Sequence, residues 1–357
     1  MHAGRDLDLW TAGTASASGL AMAIASPIWG VLGDRYGRKP MLIRSMVGGA
    51  LTVGLIYLAQ TPEQLLVLRF LQGATSGTVA AATALVAAET PRTRVGWALG
   101  VVTSAVALGG AIGPVVGGLA GAAFGLRLVF LAGGILLFVS TLPVLMIVRE
   151  SPRLRRDPSQ LGTFAAIGQR PGAKRALTVL ISAQGLVSVA NSATQQLVVL
   201  RLLEMLTSGV SAVAGIGFGL AGVASSGAAV FYTTVTRRFG YVRTTALAAV
   251  LMAVAVALIA VSPWVAVVVG AIGLNGLFSG VVIPATASML GLETPREAQS
   301  TVFGINASSV AFGFFLGPLI GGVVAATAGV PAALLVIAVC ALLLALLVAV
   351  GAREPAR

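Results

Sequence analysis

Charge is what this sequence has least of. Only 10% of its 357 residues are Asp, Glu, Lys or Arg, against roughly 25% in soluble domains, so an ordinary water-soluble fold is excluded. One cysteine, Cys340, rules out an intramolecular disulfide. One histidine, His2 at the terminus, leaves no His-based metal site to assemble. The nucleotide-binding pattern G-x-x-x-x-G-K-[ST] is absent, which removes ATP as a direct energy source. No constellation of nucleophile, base and acid is visible, so the reading is of a non-enzyme with no cofactor and no metal. The first ten residues, "MHAGRDLDLW", are too polar for a cleavable signal peptide.

Apolar residues and glycine fill the space that charge leaves. The chain is 57% hydrophobic with 45 glycines and a mean hydropathy of +0.98. Lipid-embedded helices use glycine for close backbone approach, because the hydrophobic effect no longer drives their packing. A spanning helix needs about 20 mainly apolar residues. That ruler predicts eleven, at about 10–31, 41–59, 64–88, 95–121, 128–148, 176–200, 210–234, 244–262, 264–290, 300–326 and 332–351. Turn signals such as "TPEQ" at 61–64 and "ETPRTR" at 89–94 separate them. The longest polar gap, 149–175, divides an N-terminal bundle, 1–148, from a C-terminal bundle, 176–357.

The net charge of +12 would suggest nucleic acid in a soluble protein. Its distribution says otherwise. If the 32–44 loop is cytoplasmic, alternate loops and the C-terminal tail are too, and these hold nineteen of the 23 basic residues. Basic residues mark the cytoplasmic side, so the excess is a topology signal. It predicts a multi-pass protein of the plasma or inner membrane, C-terminus inside, with lipid and no nucleic acid as its surroundings.

The sequence also repeats itself. "ETPR" at Glu89–Arg92 recurs at Glu293–Arg296, 204 residues on, and at that offset Gly113-Pro114 meets Gly317-Pro318 and Gly117-Gly118 meets Gly321-Gly322. At offset 203, Arg35-Tyr36-Gly37 meets Arg238-Phe239-Gly240. Six helices separate each pair, so the halves insert in the same sense, the plan of two parallel six-helix bundles. The helix at 176–200 has no partner 203 residues earlier. The expectation is a twelve-helix plan without its first helix here, by choice of start; a true eleven-helix protein is the alternative.

Three motifs carry a family resemblance. Gly30-x-Leu32-Gly33-Asp34-Arg35-x-Gly37-Arg38-Lys39-x-x-Leu42 resembles motif A of the major facilitator superfamily. "RFLQG", Arg69 to Gly73, resembles its motif B, and "GGAIGPVVGG", Gly109 to Gly118, its motif C. The wording around them is similar to the bacterial twelve-helix multidrug/proton antiporter branch. The resemblance implies an all-α major facilitator fold, small-molecule and proton exchange by a monomer, and a part in antibiotic resistance.

Each motif has a bland reading beside the functional one. Basic residues alone would hold the motif A loop inside, but Asp34 and glycines 30, 33 and 37 exceed that need. They point to a conformational latch formed with Arg35, Arg38 and Lys39. By resemblance, Asp34 braces the start of the eleventh helix, near Gln299–Thr301, where a helix N-terminus attracts a carboxylate. The second-half counterpart, "TRRFGYVR" at 236–243, has no acid. Arg69 lies inside a span, where arginine costs about 2.5–3.5 kcal/mol and usually faces protein; snorkelling to the interface is the alternative. The resemblance gives Arg69, with Gln72 and Gly73, a role in proton coupling, through an acid that usually lies in the first helix. No visible span carries a carboxylate at its middle.

Gly109, Gly113 and Gly117 make a smooth face beside Gly118, and Pro114 favours a kink. Repetition of this pattern at Gly313–Gly322 favours helix packing as its first role. Gln184, Ser188, Asn191 and Gln195 form a polar stripe on one helix face, and Asn275 and Asn306 add amides. Such groups line a water-filled cavity or bond between helices. The combined expectation is secondary active efflux of lipophilic or drug-like molecules. The alternatives are a sugar or metabolite exporter of the same superfamily, or a truncated, transport-inactive or sensor-like membrane protein.

Overall fold

A computed structural model describes residues 2–91, 94–150, 173–294 and 299–354. These residues form twelve α-helices and one 3-10 turn, with no strand among them. The first half comprises α1 (His2–Tyr36), α2 (Arg38–Leu55), α3 (Pro62–Thr75), α4 (Thr78–Glu89), α5 (Val95–Phe124) and α6 (Leu126–Ile147). The second comprises α7 (Ala173–Met205), α8 (Val210–Phe239), α9 (Tyr241–Val261), α10 (Val265–Glu293), α11 (Gln299–Ala328) and α12 (Val330–Gly351).

Among the described residues, nine helical stretches are long and apolar enough to cross a membrane, with α3 and α4 together counting as one. The helices α1 and α5 complete the eleven expected positions. At 35 residues, α1 is about 52 Å long at 1.5 Å per residue, longer than a bilayer core requires. Its first turns carry the polar sequence that the apolar ruler left out. Side chains such as Met146, Leu136 and Phe124 lie on the outer surface, more than 70% exposed. In water such a surface would be a liability, whereas lipid accepts it.

One span departs from the expected single helix. Residues 64–88 divide into α3 and α4 at Ser76–Gly77, where Gly77 takes φ +117°. That conformation suits glycine and interrupts the helical hydrogen-bond ladder. The second-half twin, α10, runs through Gly280 without a break.

Packing between the halves rests chiefly on two pairs, α1 against α11 and α5 against α8, with a lesser contact of α1 with α7. A Cβ on Gly19 would stand 2.5 Å from the Phe315 nitrogen, and one on Gly118 would stand 2.8 Å from the Gly215 Cα. A Cβ on Gly222 would stand 2.6 Å from the Ala111 Cα. These contacts run from mid-helix toward the face opposite Gly37 and Gly240. Toward the Gly37 face, a Cβ on Gly30, Gly227 or Gly304 meets no described atom within 4 Å. The close contacts between the halves among the described residues thus include ones from mid-helix to the face opposite Gly37.

Candidate functional site

A cavity of about 660 Å³ lies between the halves, walled by α1, α3, α7, α8 and α11. Its volume falls in the usual range for small-molecule sites, about 300–1,000 Å³. Arg69, Gln72 and Gly73 reach it from α3, and Gln195 and Gln196 from α7. Apolar lining comes from Met22, Leu65, Leu203, Phe218 and Phe314. Among the described residues that line it, Arg69 is the one that is charged, and none is a carboxylate. The Arg69 guanidinium donates to Gln72 Oε1 at 3.1 Å and lies 5.8 Å from the centre of the Phe130 ring. Gly73 is placed by necessity, since a Cβ there would overlap the Ser18 carbonyl of α1.

Other residues of the expected polar stripe lie elsewhere. Gln184 Nε2 is 3.4 Å from the Ile283 carbonyl of α10, and Ser188 is buried, donating to the Gln184 carbonyl at 2.8 Å. Asn191 is half-buried on α7 and outside the cavity lining. Asn275 and Asn306 hold buried Oδ1 atoms with no hydrogen-bond partner among the described residues. Sequence reasoning passed over Gln196. With its amide oriented to satisfy both ends, it donates to the Pro318 carbonyl at 3.0 Å and accepts from the Ala12 N–H at 3.1 Å. One side chain thus ties α7 to both α1 and α11.

Around motif A the structure places a carboxylate that sequence reasoning did not single out. Gly37, at φ +107°, caps α2, and Glu150 accepts from the Arg38 N–H at 2.7 Å and the Lys39 N–H at 3.0 Å. The second half repeats this. Gly240, at φ +89°, caps α9, and Glu354 accepts from the Tyr241 N–H at 2.8 Å and the Val242 N–H at 2.9 Å. A Cβ on Gly37 would stand 2.8 Å from Glu150 Oε2, so both the backbone angle and the carboxylate require glycine. The signal was available, because Arg149-Glu150 recurs as Arg353-Glu354 at the same offset of 204. The first clamp carries extra ties: Lys39 Nζ donates to the Leu145 carbonyl at 3.0 Å, and Arg38 Nη1 donates to the Ala84 carbonyl.

The side chains of Asp34 and Arg35, and those of Gln299, Ser300 and Thr301, lie outside the described residues. Of the remaining motif A glycines, Gly33 faces Met41 and Gly30 faces open space. Arg44, counted with the basic residues of the 32–44 loop and also within the helix expected at 41–59, is the seventh residue of α2. It stacks 3.7 Å over the Trp29 ring and donates to the Ser76 carbonyl at 3.1 Å, at the break between α3 and α4. In motif C, Pro114 lies within α5 with its carbonyl against Gly215, and Gly118 faces Ser211 and Gly215 of α8. Gly109 and Gly113 face open space, and Gly117 only approaches Val129.

The family model for the Major Facilitator Superfamily matches residues 10–219 and 209–357, nearly the whole chain. The chain belongs to the Major Facilitator Superfamily. It is a multi-pass membrane transporter and not an enzyme. Multidrug resistance protein MdtG of Dickeya zeae (strain Ech586) is 31% identical over 337 residues, covering 93% of this chain and 82% of that protein. The MdtG of Enterobacter lignolyticus (strain SCF1) is 32% identical over 343 residues, covering 94% and 81%. Among solved structures, a mutant of the nucleoside transporter NupG superposes with a TM-score of 0.75 at 15% identity, covering 95% of this chain and 90% of that one. A bacterial homologue of the human lysosomal transporter Spinster, inward-facing and occupied, gives 0.72 at 13%, covering 97% and 94%. At those identities the two structures speak for the fold alone.

Proposed function

We propose that this superfamily member exports lipophilic, drug-like molecules by alternating access, driven by proton entry, from the plasma or inner membrane and as a monomer. The observation that carries the reading is the cavity between the halves, with aliphatic and aromatic walls, amides and one cation. Such a lining suits amphipathic cargo, because apolar area supplies the attraction and a few polar groups orient it. The printed names of the MdtG relatives support drugs as the class of cargo. Proton entry is the energy source assigned, since no phosphate-binding loop is present and one charge crossing 100 mV yields about 2.3 kcal/mol. The basic residues of the 32–44, 149–175 and C-terminal segments support an assignment of the Gly37 face and the C-terminus to the cytoplasmic side.

The test is ethidium accumulation in energised cells. Expression of the transporter is expected to lower accumulation severalfold, and a protonophore to restore it. Unchanged accumulation across a panel of lipophilic cations and neutral drugs would turn the reading toward metabolite export. Persistent efflux under the protonophore would remove the proton assignment and leave the cargo standing. Asp34 is assigned the latch role in this cycle. Asp34→Asn is expected to insert normally and to slow efflux several-fold; a wild-type rate at equal membrane level would discard the latch.

A further inference from the structure

A helix that ends within a membrane span leaves carbonyls that lipid cannot satisfy, so they need partners from the protein or a wet cavity. At the end of α3 part of that demand is met locally. Thr75 Oγ1 donates to the Leu71 carbonyl at 3.0 Å and the Gln72 carbonyl at 3.2 Å, and the Ser76 N–H donates to the Gly73 carbonyl at 3.1 Å. Two further carbonyls are reached from other helices. Trp29 Nε1 of α1 donates to the Ala74 carbonyl at 2.7 Å, and Arg44 Nη2 of α2 donates to the Ser76 carbonyl at 3.1 Å. The two donors are themselves stacked, with the Arg44 guanidinium 3.7 Å from the centre of the Trp29 ring. A cation at this point also faces the negative end of α3. Beyond the break, Thr78 Oγ1 donates to Ser45 Oγ at 3.1 Å, so α2 holds both sides of it.

The internal repeat separates this arrangement from ordinary packing. At offset 203, Ser76-Gly77 corresponds to Ser279-Gly280 within α10, which runs unbroken. Arg44 corresponds to Leu247, which is 61% exposed. Trp29 corresponds to Tyr232, whose hydroxyl lies 2.9 Å from Ser288 Oγ, a side-chain partner on α10. A continuous span has no such carbonyls to cap, and there the indole and guanidinium are replaced. The pair accompanies the break. It also stands behind the cavity, since Gln72, Gly73 and Ser76 line that space while Trp29 and Arg44 are not among its described lining residues.

We propose that Arg44 and Trp29 are positioning residues for transport. Together they hold the end of α3 at the angle that presents Arg69, Gln72 and Ser76 to cargo, and neither touches cargo itself. Without the pair, the freed carbonyls regain partners by closing the helical ladder through Ser76 and Gly77, as α10 does. The polar groups of the first-half wall then lose their places. The role toward cargo rests on the export reading above; the role at the joint does not.

The experiment compares three variants of the full chain. Arg44→Leu installs the residue of the second half, Trp29→Phe keeps a ring and loses the donor, and Arg44→Lys keeps a cation and a donor. Spin labels on cysteines introduced at Val67 of α3 and Thr83 of α4, with Cys340→Ala, report the joint in purified protein without cargo. The unsubstituted joint is expected to give one narrow distance. Arg44→Leu is expected to shift that distance or at least double its width, Trp29→Phe to do so to a smaller extent, and Arg44→Lys to restore most of it. In cells, the KM for ethidium efflux is expected to rise about fivefold in Arg44→Leu, while the maximal rate per inserted molecule changes less than twofold. A merely structural residue would lower the membrane level and leave KM alone. Distances unchanged in both Arg44→Leu and Trp29→Phe overturn the proposal, and so does an unchanged KM in both. If Arg44→Leu fails to insert, Trp29→Phe and Arg44→Lys carry the same test. Absence of ethidium transport by the unsubstituted protein overturns the export reading instead, and the distances still decide the joint.

Discussion

Arg69→Met leaves the transporter in the membrane and removes its efflux, by at least about tenfold in initial rate per inserted molecule. The direction follows from two opposed effects. An arginine within a span costs about 2.5–3.5 kcal/mol on insertion, so replacing it with methionine eases insertion and cannot cause loss through poor membrane delivery. What disappears is the only charge that the described residues bring to the cavity lining, together with its bond to Gln72 and its place near Phe130. Arg69→Lys keeps the charge and loses the planar fork, and an intermediate rate is expected. Ethidium efflux normalised to membrane-inserted protein measures both variants. Wild-type efflux in Arg69→Met would remove Arg69 from the transport machinery and leave it as a snorkelling residue.

Loss of the carboxylate clamps is expected to weaken each half separately. Glu150 accepts two backbone N–H groups at the start of α2, and Glu354 does the same at the start of α9. Hydrogen bonds to a charged acceptor contribute about 1.5–3 kcal/mol each where they are shielded, and a helix N-terminus adds a few tenths more. Partial exposure discounts this, so Glu150→Ala is expected to cost about 2 kcal/mol. Glu354→Ala costs less, because Glu354 is exposed and lacks the added ties of the first clamp. The two sites share no partner, so the double variant is expected to show the sum. Thermal aggregation of detergent-purified protein measures all three. A double variant no worse than Glu150→Ala alone would show that the second clamp holds nothing.

The fold was legible to the extent that it is written in local pattern. Apolar runs located the lipid-facing lengths but not the helix ends, since α1 continues through a polar start that packing and hydrogen bonding allow. The run at 64–88 looked uniform, yet it breaks at Gly77, because a positive φ is a property of the fold and glycine merely permits it. Arg69, Gln72, Gly73 and Gln195 are brought to one cavity; Arg69 and Gln195 were visible as polar residues within spans, Gln72 and Gly73 through the resemblance to motif B. Gln196 was not, since its value lies in partners far away in sequence, Ala12 and Pro318. Glu150 was passed over although its repeat as Glu354 was there to be read, since the Arg38 and Lys39 N–H groups that donate to it lie 112 and 111 residues away. Arg44 fell within the helix expected at 41–59, but its packing on Trp29 was hidden, because positive charge near a loop reads as topology.

The interruption at Ser76–Gly77 has a mechanical consequence for the first-half wall of the cavity. Its first-half wall contains a span in two rods, joined at one glycine and held there by Arg44 and Trp29. The corresponding span of the second half, α10, is a single rod through Gly280, with Ser225 of α8 pressed against that glycine. Stiffness is therefore unequal: the first-half span that lines the cavity is jointed at one glycine, whereas its second-half twin runs unbroken behind the α8 wall.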